Sequence, residues 1–435
     1  MLRQGSRHHT VTGFLCVAGV SSTQMRNLQG WRLFRKKERV NAMKCEYSFN
    51  PYQKEEPDWS DPFFDFLKST DMPEFHRSID GYAETPLVPM PKLAAEIGVG
   101  QILVKDESHR YGINAFKGLG ASYAIYRFLK GQWEKKFGDG FSPASFKDPA
   151  TMEKLGSYTF CAATDGNHGK AVAWTANKLR QRAIIYMPDN SAQARIDHIT
   201  KENAEVVLVP GTFDDCVAKC ASDAEANGWQ VIGDTAYPGY MEIPQYIILG
   251  YSTIFREMEN SINKPGKSDV DFVFLPAGVG GVASAGTSYY ALRYGKNRPK
   301  IVCVEPKESD CFLESIKNGK GEPLFTKGNQ MSIMAGLNCG MPSLIAWPIM
   351  RDATELFVGV PDDWAETAMR AYYREGIVSG ESGAAALAGL IALMTTDEMK
   401  EAREKLGINS GSKVFVLNTE GDTDPVNWKK VVGVG

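Results

Sequence analysis

The sequence predicts an α/β protein in which parallel sheets are flanked by helices. From about residue 100 onward, short apolar runs alternate with segments that have the periodicity of amphipathic helices. Polar, glycine-bearing segments follow several of these runs, where the strands of a parallel sheet would end. Alternation of this kind is typical of sheets built from right-handed strand–helix–strand crossovers.

The strands and helices follow from these runs in chain order. The predicted strands are Gln101–Lys105, Tyr158–Ala162, Ala183–Met187, Glu205–Val209, Gln230–Ile232, Phe272–Leu275, Lys300–Val304 and Lys413–Leu417. The predicted helices between them include His168–Leu179, Ser191–Lys201, Thr212–Asn227, Ile243–Asn260 and Gly281–Tyr294. A further helix is expected to begin near Lys117 and to end near Leu129.

The length of the chain favours two domains, because 435 residues exceed what one small core can organise. Residues 131–157 are polar and contain glycine and proline, so we expect the chain to cross between domains there. Four predicted strands within residues 158–232 could form a separate small sheet. We therefore predict a large domain from residues 44–130 and 263–435, a small inserted α/β domain from residues 131–262, and a ligand cleft between them.

Composition argues against several classes of protein. A net charge of −3 gives no reason to expect nucleic acid or an anionic membrane as a partner. No apolar run approaches the roughly 20 residues that span a bilayer. The 8 cysteines are scattered, which favours reduced thiols in a cytoplasmic enzyme. Cys216 and Cys220 are spaced like metal ligands, but no second pair or nearby histidine accompanies them, so no metal site is predicted.

The first 43 residues differ from the rest, since seven arginines and lysines precede the first acid, Glu38. We interpret residues 1–43 as a leader or a disordered extension outside the fold. Met43 as the true start, and mitochondrial import by the basic leader, both stay open.

Lys117 is the residue for which the sequence indicates a chemical role most clearly. It follows Asn114-Ala115-Phe116 in a glycine-bearing turn that leads into an apolar helix. The commonest use of a neutral lysine amine is a Schiff base with a carbonyl compound, above all pyridoxal phosphate (PLP). Taken alone, a surface lysine at a helix start is the simpler interpretation.

Three later segments could bind parts of a ligand. The segment Thr164-Asp165-Gly166-Asn167-His168 opens a helix after a strand, where free N–H groups favour a carboxylate, although taken alone it is more simply explained by a helix cap served by Asp165 or Asn167. Gly278-Val279-Gly280-Gly281 has the glycines of a phosphate-binding turn but lacks the features of a nucleoside-triphosphate or dinucleotide site. Thr419, after the last strand, could hydrogen-bond a ring nitrogen.

Two acidic residues restrict the class of substrate that the cleft could bind. A carboxylate at Asp165 is unfavourable where a substrate carboxylate docks, unless the substrate carries a further ammonium group or the aspartate is a base. Asp234, after the last strand of the small sheet, is a second acid for the same cleft. Glu381 and Ser382 open an alanine-rich helix that close packing already explains, and they could also face the cleft.

The order of these segments resembles the fold type II PLP enzymes of the tryptophan synthase β family, and within them most closely the diaminopropionate ammonia-lyase family. The resemblance covers roughly residues 45–430, and further motifs that carry it are Met334–Leu337 and Ser379–Gly383. In serine and threonine dehydratases the segment equivalent to 164–168 is typically Ser-x-Gly-Asn-His, without the aspartate found here.

The resemblance implies α,β-elimination of D- and L-2,3-diaminopropionate to pyruvate and two ammonia. Lys117 would bind PLP covalently and act as base on the L-isomer, Asp165 would be the base for the D-isomer, and Asp234 would help to bind the distal ammonium or assist the leaving amine. The remaining implied contacts are phosphate with Gly278, Val279, Gly280 and Gly281, the 3′-oxygen with Asn167, the pyridine nitrogen with Thr419, and substrate with Thr164, Asp165, Gly166, Asn167, His168 and Asp234.

Other functions and the oligomeric state stay open at this point. A serine/threonine dehydratase of the same fold is the nearest alternative, followed by a non-catalytic PLP-binding protein and by an interaction module without cofactor. The resemblance also implies a homodimer and an approach of Cys311 to Cys339, although a reducing compartment does not favour a permanent disulfide.

Overall fold

The computed structural model describes residues 44–164, 166–262 and 268–434. The predicted leader and Asp165 therefore lie outside the described residues. Residues 44–435 group into one compact unit. Among the described residues, every helix is too short or too polar to cross a membrane.

Two sheets form the framework. Their strands are β1 Glu46–Phe49, β2 Leu87–Pro89, β3 Gln101–Asp106, β4 Thr159–Ala163, β5 Arg182–Pro188, β6 Glu205–Val209, β7 Gln230–Val231, β8 Phe272–Pro276, β9 Lys300–Pro306, β10 Leu356–Val360 and β11 Lys413–Asn418. The larger sheet has the order β1-β10-β9-β8-β11-β3-β2 and the smaller one the order β6-β5-β4-β7. All pairs are parallel except the two at the edges of the larger sheet, β1 with β10 and β2 with β3.

In the described residues, sixteen α-helices connect and cover the sheets. They are α1 Met72–Ser78, α2 Pro91–Ile97, α3 Lys117–Phe137, α4 Pro143–Lys147, α5 Pro149–Leu155, α6 Asn167–Lys178, α7 Gln193–Thr200, α8 Phe213–Asn227, α9 Glu242–Ile262, α10 Gly281–Tyr294, α11 Cys311–Lys317, α12 Ala346–Ala353, α13 Asp362–Arg374, α14 Glu381–Thr395, α15 Lys400–Leu406 and α16 Pro425–Val432. Short 3₁₀ helices lie at Pro62–Lys68, Glu107–Gly112, Gly295–Asn297, Lys307–Ser309 and Ala335–Leu337.

Helices cover both faces of the larger sheet, so its central strands are largely apolar. β8 and β10 are buried at every position. On one face α3 and α10 both pack against α9, and on the other α14 lies across β8, β9, β10 and β11. The sequence-based fold class, parallel sheets flanked by helices, is confirmed.

The predicted end of the Lys117 helix is wrong. Helix α3 continues past Leu129 to Phe137 and stops at Gly138, whose φ of +80° suits glycine. The rings of Trp133 and Phe137 contact each other at a tilt, with centroids 4.6 Å apart, which gives this polar-looking extension an apolar contact. The stretch from residue 131 to 157 therefore holds the end of α3 and the short helices α4 and α5. The domain boundaries themselves stay a prediction.

Candidate active site

Eleven of the twelve predicted site residues line one cleft, and the twelfth is Asp165, which the structure does not describe. Loops after β4, β7, β8 and β11 meet there, as expected for the carboxyl ends of parallel strands.

Backbone contacts join the Lys117 turn to the C-terminal loop. Phe116 N donates to Thr419 O at 3.1 Å, and Gly421 N donates to Asn114 O at 2.9 Å. Asn114 has a φ of +59°, a conformation that asparagine tolerates better than most residues. These contacts place Lys117 at the first position of α3 and beside Thr419, two residues that are far apart in sequence.

Lys117 and Asp234 form an ion pair inside the cleft. Lys117 Nζ lies 2.6 Å from Asp234 Oδ2, and the side chains are 18% and 23% exposed. Burial alone would lower the pKa of Lys117, but the Asp234 carboxylate outweighs it and raises that pKa above its ordinary value. Burial opposes ionisation of Asp234 as well, yet Lys117 and then His168 hold its pKa well below the usual range. The pair is therefore an ammonium and a carboxylate at neutral pH.

His168 extends this pair. Its Nε2 lies 2.6 Å from the carbonyl oxygen of Ile232, which can only accept a hydrogen bond, and its Nδ1 lies 3.9 Å from Asp234 Oδ2. Burial lowers the pKa of His168, partly offset by Asp234. The neutral ring therefore carries its proton on Nε2, and Nδ1 is an acceptor that has no hydrogen-bond partner among the described residues.

The turn before α6 is capped by a residue that sequence reasoning did not assign to that role. Thr164 Oγ1 accepts hydrogen bonds from Gly166 N at 3.0 Å and from Gly169 N at 3.1 Å. Asn167 is thus free of the capping role considered for it. A Cβ at Gly169 would lie 2.6 Å from Ile185 Cγ2, so this glycine serves close packing of α6 on β5.

The glycine turn after β8 has the form of an anion cradle. A Cβ at Gly278 would lie 2.8 Å from Cys339 Sγ. At Gly280, where φ is +92°, a Cβ would overlap the Phe312 ring and lie 2.9 Å from Ala346 Cβ. Within the described part of the chain no side chain caps α10, which begins at Gly281, so its first N–H groups are available to an anion.

Tyr251 and Glu420 also line the cleft, and sequence reasoning gave neither a role. The Tyr251 ring packs on Phe116 with centroids 4.7 Å apart, and its buried hydroxyl has no hydrogen-bond partner within the described residues. Burial raises the pKa of Tyr251 above its ordinary range, so the hydroxyl keeps its proton. Tyr251 continues the apolar pattern of α9, so its position in the sequence did not indicate that it lines the cleft.

These residues fit PLP. The cofactor needs an amine, an anion cradle and polar partners for its ring, and the cleft offers Lys117, the uncapped start of α10 and the buried Thr419. The unpartnered atoms of His168 and Tyr251 are further polar groups that a ligand could satisfy.

Comparison with known proteins also indicates a PLP enzyme. Residues 79–419 match the family described as pyridoxal-phosphate dependent enzyme. Diaminopropionate ammonia-lyase from Salmonella typhimurium is 36% identical over 83% of this chain and 91% of its own length. The protein of that name from Escherichia coli K12 is 39% identical over 83% of this chain and 90% of its own length.

Solved structures agree. The crystal structure of diaminopropionate ammonia-lyase from Escherichia coli in complex with an aminoacrylate–PLP azomethine reaction intermediate has a TM-score of 0.79 and 35% identity, over 90% of this chain and 97% of that one. The processed form of threonine deaminase isoform 2 from Solanum lycopersicum, at 22% identity and a TM-score of 0.68, shares the fold. This chain belongs to the pyridoxal-phosphate-dependent enzymes of fold type II and, within them, to the diaminopropionate ammonia-lyase family.

Proposed function

We propose that this chain is a PLP-dependent carbon–nitrogen lyase that converts D- and L-2,3-diaminopropionate and water to pyruvate and two ammonia. The observation that carries the proposal is the Lys117–Asp234 pair, 2.6 Å apart in a cleft that also holds the glycine cradle. The relatives at 36% and 39% identity over 83% of the chain support the same reaction.

In this proposal the cleft holds the cofactor at several points. Lys117 attaches it covalently, the loop from Gly278 to Gly281 with the start of α10 holds its phosphate, and Asn167 and Thr419 hold the 3′-oxygen and the ring nitrogen. Bound PLP supplies an electron sink for the Cα carbanion of an amino acid. The chain supplies the bases: Lys117 takes the Cα proton of the L-isomer and Asp165 that of the D-isomer.

Asp234 selects a diamine over a hydroxy amino acid. Its partly buried carboxylate lies in the cleft and already pairs with a cationic nitrogen, that of Lys117. The same carboxylate would favour the distal ammonium of a diamine substrate as a partner. The hydroxyl of serine or threonine carries no charge and would not form such an ion pair.

A substrate panel tests the proposal. Purified protein with PLP is assayed for pyruvate from D- and L-2,3-diaminopropionate, and for the 2-oxo acid from D- and L-serine and threonine. We expect kcat/KM to be highest for 2,3-diaminopropionate. Faster turnover of serine or threonine would identify a hydroxy-amino-acid dehydratase. PLP binding with no product from any of them would identify a non-catalytic binding protein.

Asp234→Asn tests the Lys117–Asp234 ion pair through the pH dependence of PLP attachment. Because Asp234 raises the pKa of Lys117 and burial lowers it, the variant leaves burial unopposed, and the pKa of Lys117 falls. Since only the neutral amine attacks a carbonyl, covalent capture of PLP by cofactor-free protein should reach its half-maximal rate at a lower pH than in the wild type. The rate is followed by absorbance across a pH series. An unchanged or higher midpoint contradicts the ion-pair account.

Gly280→Ala tests the glycine cradle. The added methyl group overlaps Phe312, and φ of +92° strains any residue with a Cβ, so PLP affinity should fall by at least tenfold. Gly281→Ala is the matched control, because its Cβ would make only an ordinary 3.4 Å contact with Tyr251 Cε2. Equal PLP affinities in the two variants would show that this loop does not set the affinity.

We further propose that the enzyme acts as a homodimer in the cytoplasm, a small-molecule enzyme without nucleic acid or membrane partner. In the part of the chain that the structure describes, free thiols are found at Cys45, Cys161, Cys220, Cys303 and Cys311, in keeping with a reducing compartment. Light scattering of the purified protein measures the oligomeric state directly.

A further inference from the structure

Glu420 connects three segments of the cleft, a role that the sequence analysis did not assign to it. It follows the end of β11, and its side chain is one of the few carboxyl groups that are almost fully buried, at 4% exposure. We propose that Glu420 is a positioning residue, whose carboxylate orients the Asn167 amide toward the cofactor. The inference rests on the proposed function, because it assumes that Asn167 contacts PLP.

Both oxygens of Glu420 accept hydrogen bonds. Oε1 accepts from Ser382 N at 3.0 Å, at the start of α14, and Oε2 accepts from Asn167 Nδ2, at the start of α6. The carboxyl group also has little room to turn, since a Cβ at Gly380 would lie 2.8 Å from Oε1. Glu420 therefore connects α6, which links two strands of the smaller sheet, to α14, which covers the larger sheet.

This arrangement fixes which way round the Asn167 amide lies. An amide has two N–H donors on nitrogen and one acceptor oxygen, and the two ends are similar in shape. Because Glu420 Oε2 is an acceptor, it selects the orientation in which nitrogen faces Glu420. The second N–H and the carbonyl oxygen of Asn167 are then the groups left for a ligand in the cleft.

A glutamine at position 420 could not do the same. The two donors, Ser382 N and Asn167 Nδ2, need two acceptor atoms, and glutamine has one. Either one hydrogen bond is lost or the Asn167 amide turns over to meet the new N–H₂ group. Burial and then the neighbouring Glu381 raise the pKa of Glu420, with Asn167 and the Ser382 N–H opposing them. A buried carboxyl group here is costly, and the two convergent donors account for its presence.

PLP titration of Glu420→Gln, Asn167→Ala and the double variant tests this inference. Affinity and the position of the absorption band of bound PLP are measured, together with the thermal midpoint of cofactor-free protein. We expect Glu420→Gln to weaken PLP binding about tenfold and to shift the band. In the Asn167→Ala background the same change should have no further effect on either quantity, because Glu420 acts through Asn167.

Glu381→Gln is the matched control. It removes a neighbouring buried carboxyl group, bonded to Asn427 of α16, while the Glu420–Asn167 contact stays. Its PLP affinity should remain within about twofold of the wild type. If Glu420→Gln does not fold, Glu420→Asp is used, which keeps two acceptors but is too short to reach both donors.

Additive losses in the double variant, an unshifted band or a loss equal to that of Glu381→Gln would overturn the inference. None of these readings requires turnover. A protein that binds PLP with the expected coupling but releases no pyruvate from 2,3-diaminopropionate would refute the proposed function and leave the role of Glu420 intact.

Discussion

Lys117→Ala is expected to abolish covalent PLP attachment and pyruvate release from both isomers of 2,3-diaminopropionate. Lys117 is the cleft lysine whose amine contacts Asp234, at 2.6 Å, and it is the first residue of α3. Its loss would remove the proposed attachment point and the proposed base for the L-isomer together, and a positioned base contributes roughly 10²–10⁴-fold in rate.

Borohydride reduction followed by peptide mass mapping measures the attachment. Lys170→Ala is the matched control, because Lys170 lines the same cleft but its Nζ donates to Ile113 O at 3.1 Å, and burial lowers its pKa. The control should keep the PLP-labelled peptide around Lys117. A labelled peptide in Lys117→Ala, or loss of label in Lys170→Ala, would place the attachment elsewhere.

Asp165→Asn is expected to lower kcat/KM for D-2,3-diaminopropionate by roughly 10²–10⁴-fold and to lower that for the L-isomer much less. The reason is that bases on opposite faces of one Cα each serve one isomer, and asparagine cannot take a proton. Because Asp165 lies outside the described residues, this prediction rests on the sequence motif and on the family resemblance.

Steady-state kinetics with each pure isomer measures the ratio of the two losses. Asp234→Asn provides the comparison, since Asp234 is proposed to hold the distal amine that both isomers share, and its losses should be similar for the two. Equal losses for both isomers in Asp165→Asn would mean that Asp165 serves binding and not proton abstraction from one face.

The sequence predicted the strands that position the site, because their patterns are local. Predicted and observed bounds coincide for Glu205–Val209 and differ by one or two residues at the ends of the others. β1 and β2 were missed, since strands of four and three residues at sheet edges carry little pattern. β10 was missed although Leu356–Val360 is a fully buried apolar run, a signal that was present in the sequence.

The site was predictable where a motif follows a strand and not where a helix supplies the residue. Lys117, the glycine loop and Thr419 each stand at a strand end or a helix start, and the fold brings all three to one cleft. Tyr251 lies within α9, where its tyrosine ring looks like one more core residue. Glu420 directly follows Thr419, but its two hydrogen bonds come from residues 38 and 253 positions away.

The ratio of ammonia to pyruvate distinguishes elimination from a diamine from elimination from a hydroxy amino acid. Elimination from 2,3-diaminopropionate releases the β-amine, and hydrolysis of the remaining enamine releases the α-amine, so two ammonia accompany each pyruvate. Both products are measured from the same reaction of PLP-loaded protein with each isomer. We expect a ratio of two to one with 2,3-diaminopropionate. A ratio of one to one, or turnover confined to hydroxy amino acids, would contradict the proposed elimination from a diamine.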